Sequence, residues 1–148
     1  DAAIKQGLIR AGLDPTGLLF KDGSGESENN LVPATFINAL LKKILNEEGD
    51  LEVIKQALPI AAETGSLANR FKGDNIDAAG KIFAKTGWTK REYSLAGIIK
   101  AKDDTDLVFS IASVGEVNQT TKAAIDNLAT GFFRCGNKLS TETKPATE

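Results

Sequence analysis

The chain has 148 residues, a net charge of −2, one cysteine, and neither histidine nor methionine, which is length enough for one domain with its own core. The missing histidine excludes Ser-His-Asp and Cys-His catalysis and histidine-bound metals, and the single Cys135 excludes an internal disulfide or a cysteine metal cluster. Lysines and arginines are scattered, so no nucleic-acid footprint forms, and no long uncharged apolar run offers a membrane span or a signal peptide.

In chain order, Ile4, Leu8 and Ala11 share one helical face, and Gly12 offers a stop. Leu18-Leu19-Phe20 is a short apolar strand candidate that feeds the glycine-hinged loop from Asp22 to Asn30. Pro33 opens an amphipathic helix with a stripe of Phe36, Ile37, Leu40, Leu41, Ile44 and Leu45. Gly49-Asp50 breaks it, and a shorter helix from Leu51 to Leu58 stops at Pro59. Residues 60–80 lack a strong period, with one helical turn expected near Ser66 to Phe71. From Lys81 the period changes to two, which predicts strands over about 81–86, 93–101 and 106–113, the last two joined by the turn Lys102-Asp103-Asp104-Thr105. Thr120 to Phe133 predicts a closing helix with Ala124, Ile125, Leu128, Ala129, Phe132 and Phe133 inward. Cys135, at its end, is expected to be a buried structural thiol. Asn137–Glu148 has no apolar spacing and is expected to be a disordered tail. Helices flanking one antiparallel sheet make an α+β domain over residues 1–136.

Lys85-Thr86-Gly87 sits where the first strand runs out, and Ser27-x-Asn29 ends the glycine-hinged loop upstream. A Ser-x-Asn followed by a Lys-Thr-Gly is the ordered second and third motif of active-site serine penicillin-recognising enzymes. The first motif, Ser-x-x-Lys, carries the nucleophile. It is missing here: only Thr141-Glu142-Thr143-Lys144 approaches it, in the polar tail. The chain contains no methionine and begins at Asp1, so it is expected to be part of a longer translation product, and removal of an export signal fits such a start.

Gly23-Ser24-Gly25, Ser27-x-Asn29, Gly65-Ser66-Leu67-x-x-Arg70, Ala84-Lys85-Thr86-Gly87 and Ser94-Leu95-Ala96-Gly97 stand in one order and spacing. Together they resemble the C-terminal part of the D-alanyl-D-alanine carboxypeptidase/endopeptidase family, the class C low-molecular-mass penicillin-binding proteins, over about Ile4 to Gly136. The resemblance implies a partial domain of the penicillin-binding transpeptidase/serine β-lactamase-like fold. There a five-stranded antiparallel sheet is packed by helices, and the nucleophile comes from the N-terminal part. It implies a serine peptidase that cleaves peptidoglycan stem peptides ending in D-Ala-D-Ala through an acyl-enzyme, binds β-lactams and acts outside the cytoplasm, periplasmic or extracellular and associated with the cell envelope. No cofactor and no metal are expected. A serine β-lactamase or esterase of the same superfamily, or a non-catalytic wall-binding domain, are the alternatives.

Carried over by motif, Ser27 relays protons to the leaving amine and Asn29 binds the peptide carbonyl, with Asn30 offering a second register for the asparagine. Lys85 places a cation where negative charge develops and anchors the terminal carboxylate, and Thr86 adds a hydroxyl to hold it. Gly87 leaves room for the substrate backbone. Trp88 stands where the family has a small hydroxyl residue. Its N–H still serves an oxyanion hole, while its indole either lines the pocket or covers the sheet edge. Glu26 and Glu28 depart from the family's aliphatic and basic residues and should weaken binding of an anionic substrate. Asp22-Gly23-Ser24-Gly25 and Arg70 are expected to be structural, Arg70 through an acidic partner. Both outer strands are expected to expose unpaired edges, to be met by the missing N-terminal part or by a second copy.

Overall fold

In the computed structural model, which describes residues 2–47, 49–115 and 117–140, three strands pair in the order β1-β2-β3, all antiparallel. They are β1 (Ile82–Trp88), β2 (Glu92–Lys100) and β3 (Asp106–Val114). Alternation divides their side chains between two layers. Ile82, Ala84, Leu95, Ile99 and Phe109 face one way and join the main core. Ile98, with the partly buried Ala96 and Val108, faces the other way and packs under a second, smaller cluster.

The Lys-Thr-Gly motif lies wholly inside β1, which runs two residues past the expected end at 86. Lys85 pairs with Ala96, Thr86 with Leu95, Gly87 with Ser94 and Trp88 with Tyr93. The reason is the hairpin beyond: Thr89 N–H donates to Glu92 C=O at 2.9 Å across Lys90-Arg91, so the tight turn holds the ladder through residue 88. Gly97 lies at the other critical point of this pairing. A Cβ there would collide with the Phe83 carbonyl and stand 2.6 Å from the Ala84 Cα, so the two strands approach at a distance only glycine permits.

One of the two outer edges, that of β1, differs from expectation. Pro59 ends the short helix before it and sends the chain alongside β1, where Ala61 N–H donates to Ile82 C=O and Ala84 N–H to Pro59 C=O, each at 2.9 Å. The first half of β1 is therefore covered. Because backbone groups of alternate residues point the same way, Thr86 and Trp88 aim their N–H and C=O groups outward like Ile82 and Ala84. No described backbone group meets them. The far edge of β3 likewise has no backbone partner among the described residues.

The described residues form four α-helices, α1 (Ala2–Arg10), α2 (Ala34–Leu45), α3 (Glu52–Ala57) and α4 (Gln119–Cys135), of which α2 and α4 pack on the sheet. As its stripe predicts, α2 follows Pro33 and buries Leu41 and Ile44 against Ile98. The α1 helix forms but buries no residue, and Ile4 and Ile9 stay exposed. Residues 60–80 supply two 3-10 turns, Gly65–Leu67 and Gly73–Ala78, and send Leu67 and Phe71 into the core.

The closing helix begins at a capping box, with Asn118 Oδ1 accepting from Thr121 N–H at 3.0 Å and Asn118 N–H donating to Thr121 Oγ1 at 3.4 Å. Its inward face is Ile125, Asp126, Ala129, Thr130 and Phe133, while Ala124 and Leu128 are exposed. The predicted stripe was rotated because it excluded a charged and a hydroxyl residue from the core. The same rotation overturns the buried thiol: with Phe133 facing in, Cys135 two residues on faces out, and it is exposed. Past the helix, Gly136–Ser140 makes a further 3-10 turn, tied down by Asn137 N–H donating to Asp103 Oδ2 at 2.9 Å. Thr141–Glu148, the rest of the expected tail, and the Thr141-x-x-Lys144 pattern lie outside the described residues.

Candidate active site

The loop that carries Ser27 is closed at its base by Leu19 and Leu31, whose N–H and C=O groups exchange two bonds of 3.0 and 2.8 Å. Its centre is the Asp22 carboxylate. Oδ1 accepts from Gly25 N–H at 2.9 Å and from Asn30 Nδ2 at 3.0 Å, and Oδ2 accepts from Ser27 N–H at 2.8 Å. Gly25 supplies the left-handed backbone for this turn, with φ +82. The Asn30 Oδ1 in return accepts from Lys21 N–H at 2.7 Å, so its amide is engaged in holding the loop. Asn29, exposed, donates its N–H to Ser27 Oγ at 3.3 Å, and its side-chain amide makes no hydrogen bond among the described residues. The two registers that the sequence leaves open thus differ: the Asn29 amide makes no hydrogen bond among the described residues, whereas the Asn30 amide is bonded within the loop and lines the groove between this loop and the β1–β2 hairpin.

These bonds hold the Asp22 carboxyl below its ordinary value of 3.8, the Asn30 amide foremost and the Gly25 N–H next. A depressed folded pKa stabilises the loop fully above the ordinary value, and that stabilisation is lost as pH falls through the lowered one. The amide resonances of Gly25 and Ser27 are therefore expected to stay constant from neutral pH down to about pH 4 and to shift only below it. A titration centred at or above the ordinary carboxylate value would show that Asp22 does not organise the loop.

Between this loop and the β1–β2 hairpin lies a groove of about 840 Å³, whose lining includes Phe20, Ser27, Glu28, Gly87, Trp88 and Ser94. Three of the six residues singled out from sequence thus line one groove: Ser27, Gly87 and Trp88. Lys85 is two residues back from Gly87 and so on the same face of β1. It is exposed, and its Nζ turns to the strand edge, donating to the outward Thr86 C=O at 2.7 Å. Thr86 points its side chain to the opposite face, where Oγ1 donates to Ser66 Oγ at 3.2 Å. Asn29 is exposed on the loop and does not line the groove. Trp88 is 73% exposed at the groove's edge. Of the two acidic departures, Glu28 lines the groove and Glu26 does not.

Arg70 lies away from this groove, and its acidic partner is Asp126. Nε and Nη2 donate to the two carboxylate oxygens, and Nη1 donates to Tyr93 Oη at 2.9 Å. Sequence reasoning took Asp22-Gly23-Ser24-Gly25 as structural but did not see the Asp22 carboxylate as its organiser, and it missed Ser94 as a lining residue. The Asx pattern Asp22-x-x-Gly25 was the available signal for the first. Strand alternation, which puts Ser94 on the face of Gly87, was the signal for the second.

The family model described as D-Ala-D-Ala carboxypeptidase 3 (S13) matches residues 1–132. The Carboxypeptidase DacB of Mycolicibacterium smegmatis is 31% identical over 137 residues, which are 90% of this chain and 30% of the relative. The D-alanyl-D-alanine carboxypeptidase of Actinomadura is 32% identical over 131 residues, 85% of this chain and 24% of the relative. Among solved structures, penicillin binding protein 4 of Haemophilus influenzae superposes with a TM-score of 0.78 at 23% identity, covering 90% of this chain and 31% of that one. The chain spans less than a third of the length of each of these proteins. With the five motifs in order, an antiparallel sheet flanked by helices and a match over residues 1–132, the chain belongs to the D-Ala-D-Ala carboxypeptidase 3 (S13) family.

Proposed function

We propose that this chain is the C-terminal part of a serine-type D-Ala-D-Ala carboxypeptidase/endopeptidase that cleaves peptidoglycan stem peptides through an acyl-enzyme and is acylated by β-lactams. The observation that carries this is the open second half of β1: Thr86 and Trp88 present backbone groups to an edge beside which Ser27 and Gly87 line a groove. An extended peptide adds to such an edge as a further strand. In that pose the Trp88 N–H is a main-chain donor for the oxyanion, whatever the side chain at that position.

Ser27 Oγ accepts from Asn29 N–H and keeps its own proton free, so it passes a proton to the leaving amine without histidine. The motif asparagine, Asn29 or in the other register the groove-lining Asn30, binds the peptide carbonyl next to the scissile bond. Lys85, a cation at the strand edge, anchors the terminal carboxylate and stabilises the charge that develops, while Thr86 offers the substrate its outward backbone groups, its hydroxyl being turned to Ser66 on the other face. The nucleophile is a serine of a Ser-x-x-Lys segment in the remainder of the protein, which also meets the open edges; a second copy of the chain is the other occupant to test. Such an enzyme works on the wall and is exported to the periplasm or cell exterior. No helix among the described residues is long and apolar enough to cross a membrane. The test is covalent labelling by benzylpenicillin, with the full-length protein labelled and the 148-residue chain alone unlabelled.

A further inference from the structure

We propose that Ser94 contacts the substrate in this groove, a role that rests on the peptidase function proposed above. Ser94 faces Gly87 directly in the β1–β2 register. Its hydroxyl leans across the glycine so closely that a Cβ built on Gly87 would collide with Ser94 Oγ. The space left by the glycine is therefore not bare backbone: it is floored by a hydroxyl.

That hydroxyl is half-buried, lines the groove, and has no hydrogen-bond partner among the described residues. Two other sheet hydroxyls, neither of them in the groove lining, are engaged: Ser110 Oγ donates to Ala34 C=O at 3.5 Å and Thr86 Oγ1 to Ser66 Oγ at 3.2 Å. A half-buried hydroxyl that the protein leaves unpaired is suited to a ligand that supplies the partner. Ser94 stands one strand in from the open edge, so a substrate group laid back from that edge across Gly87 into the groove reaches Ser94 Oγ. Because a hydroxyl both donates and accepts, Ser94 fits either a donor or an acceptor on that group.

The experiment uses the full-length protein and a synthetic stem pentapeptide ending in D-Ala-D-Ala, with release of D-alanine as the readout. Ser94→Ala is expected to raise KM about three- to tenfold with kcat nearly unchanged, the loss of one hydrogen bond to substrate. Its melting temperature should match the wild type, because no protein group loses a partner, and Ser94→Thr, which keeps the hydroxyl, should restore most of the KM. An unchanged KM in Ser94→Ala, or a fall in melting temperature alongside the KM effect, overturns the role of Ser94 while leaving the peptidase function standing. A wild-type protein that neither releases D-alanine nor is labelled by benzylpenicillin overturns both.

Discussion

Lys85→Ala in the full-length protein is expected to slow acylation by benzylpenicillin about 10²- to 10³-fold, the usual cost of removing one charged or polar stabiliser of the developing charge. The side chain is exposed and, among the described residues, hydrogen-bonded only to the Thr86 carbonyl of its own strand. Its ammonium therefore stands at the same open edge to which Thr86 and Trp88 present their backbone groups. Because no core contact is lost, the melting temperature should stay within the range of a surface substitution, about 0.5 kcal/mol either way. Stopped-flow acylation and thermal unfolding of the same variant separate chemistry from folding. Acylation at the wild-type rate would remove Lys85 from the site.

Asp126→Ala is expected to cost about 3–5 kcal/mol of stability, because it strands a buried cation. The Arg70 and Asp126 side chains are only 12% and 11% exposed. The Arg70 guanidinium also lies over the rings of Phe71 and Tyr93, 5.7 and 5.4 Å from their centroids. Their pairing joins α4 to the segment after the Gly65–Leu67 turn and, through Tyr93, to β2. Removing the acid leaves the guanidinium desolvated with, among the described residues, one hydrogen bond to the Tyr93 hydroxyl and the two rings to answer it. Replacing both members, as Arg70→Met with Asp126→Leu, removes the desolvation cost together with the attraction and should recover most of the loss. Thermal unfolding of the single and double variants checks this cycle. A single variant that melts with the wild type would mean that the pair does not hold the helix to the sheet.

The strands were legible because a period of two marks Ile82 to Thr86, Tyr93 to Ile99 and Leu107 to Ile111, with the Lys102–Thr105 turn between the last two. What was not legible had two physical causes. The first is charge in the core: apolar periodicity alone cannot place Asp126 inside, because its partner Arg70 is 56 residues away in sequence. Omitting Asp126 tilted the predicted face of α4 toward Leu128 and turned Cys135 inward. The second is pairing that depends on a neighbour outside any strand pattern. Nothing in Pro59-Ile60-Ala61 alternates, yet that segment covers the first half of β1 and leaves its open part confined to the motif. At the site, the motif residues were visible as letters, whereas their support was not. The Asp22 carboxylate gathers the Gly25, Ser27 and Asn30 donors only once the loop is closed by Leu19 and Leu31.

Intact-mass spectrometry after incubation with benzylpenicillin is the most direct measurement. The full-length protein is expected to gain the mass of one penicilloyl group, mapped by peptide digestion to a serine of a Ser-x-x-Lys segment outside these 148 residues. The 148-residue chain alone is expected to gain none, since no serine in it has a lysine three positions on to activate it. A stoichiometric adduct on the isolated chain, or a full-length protein that takes up none, would contradict the assignment of this chain to the lysine-and-serine half of a penicillin-sensitive active site.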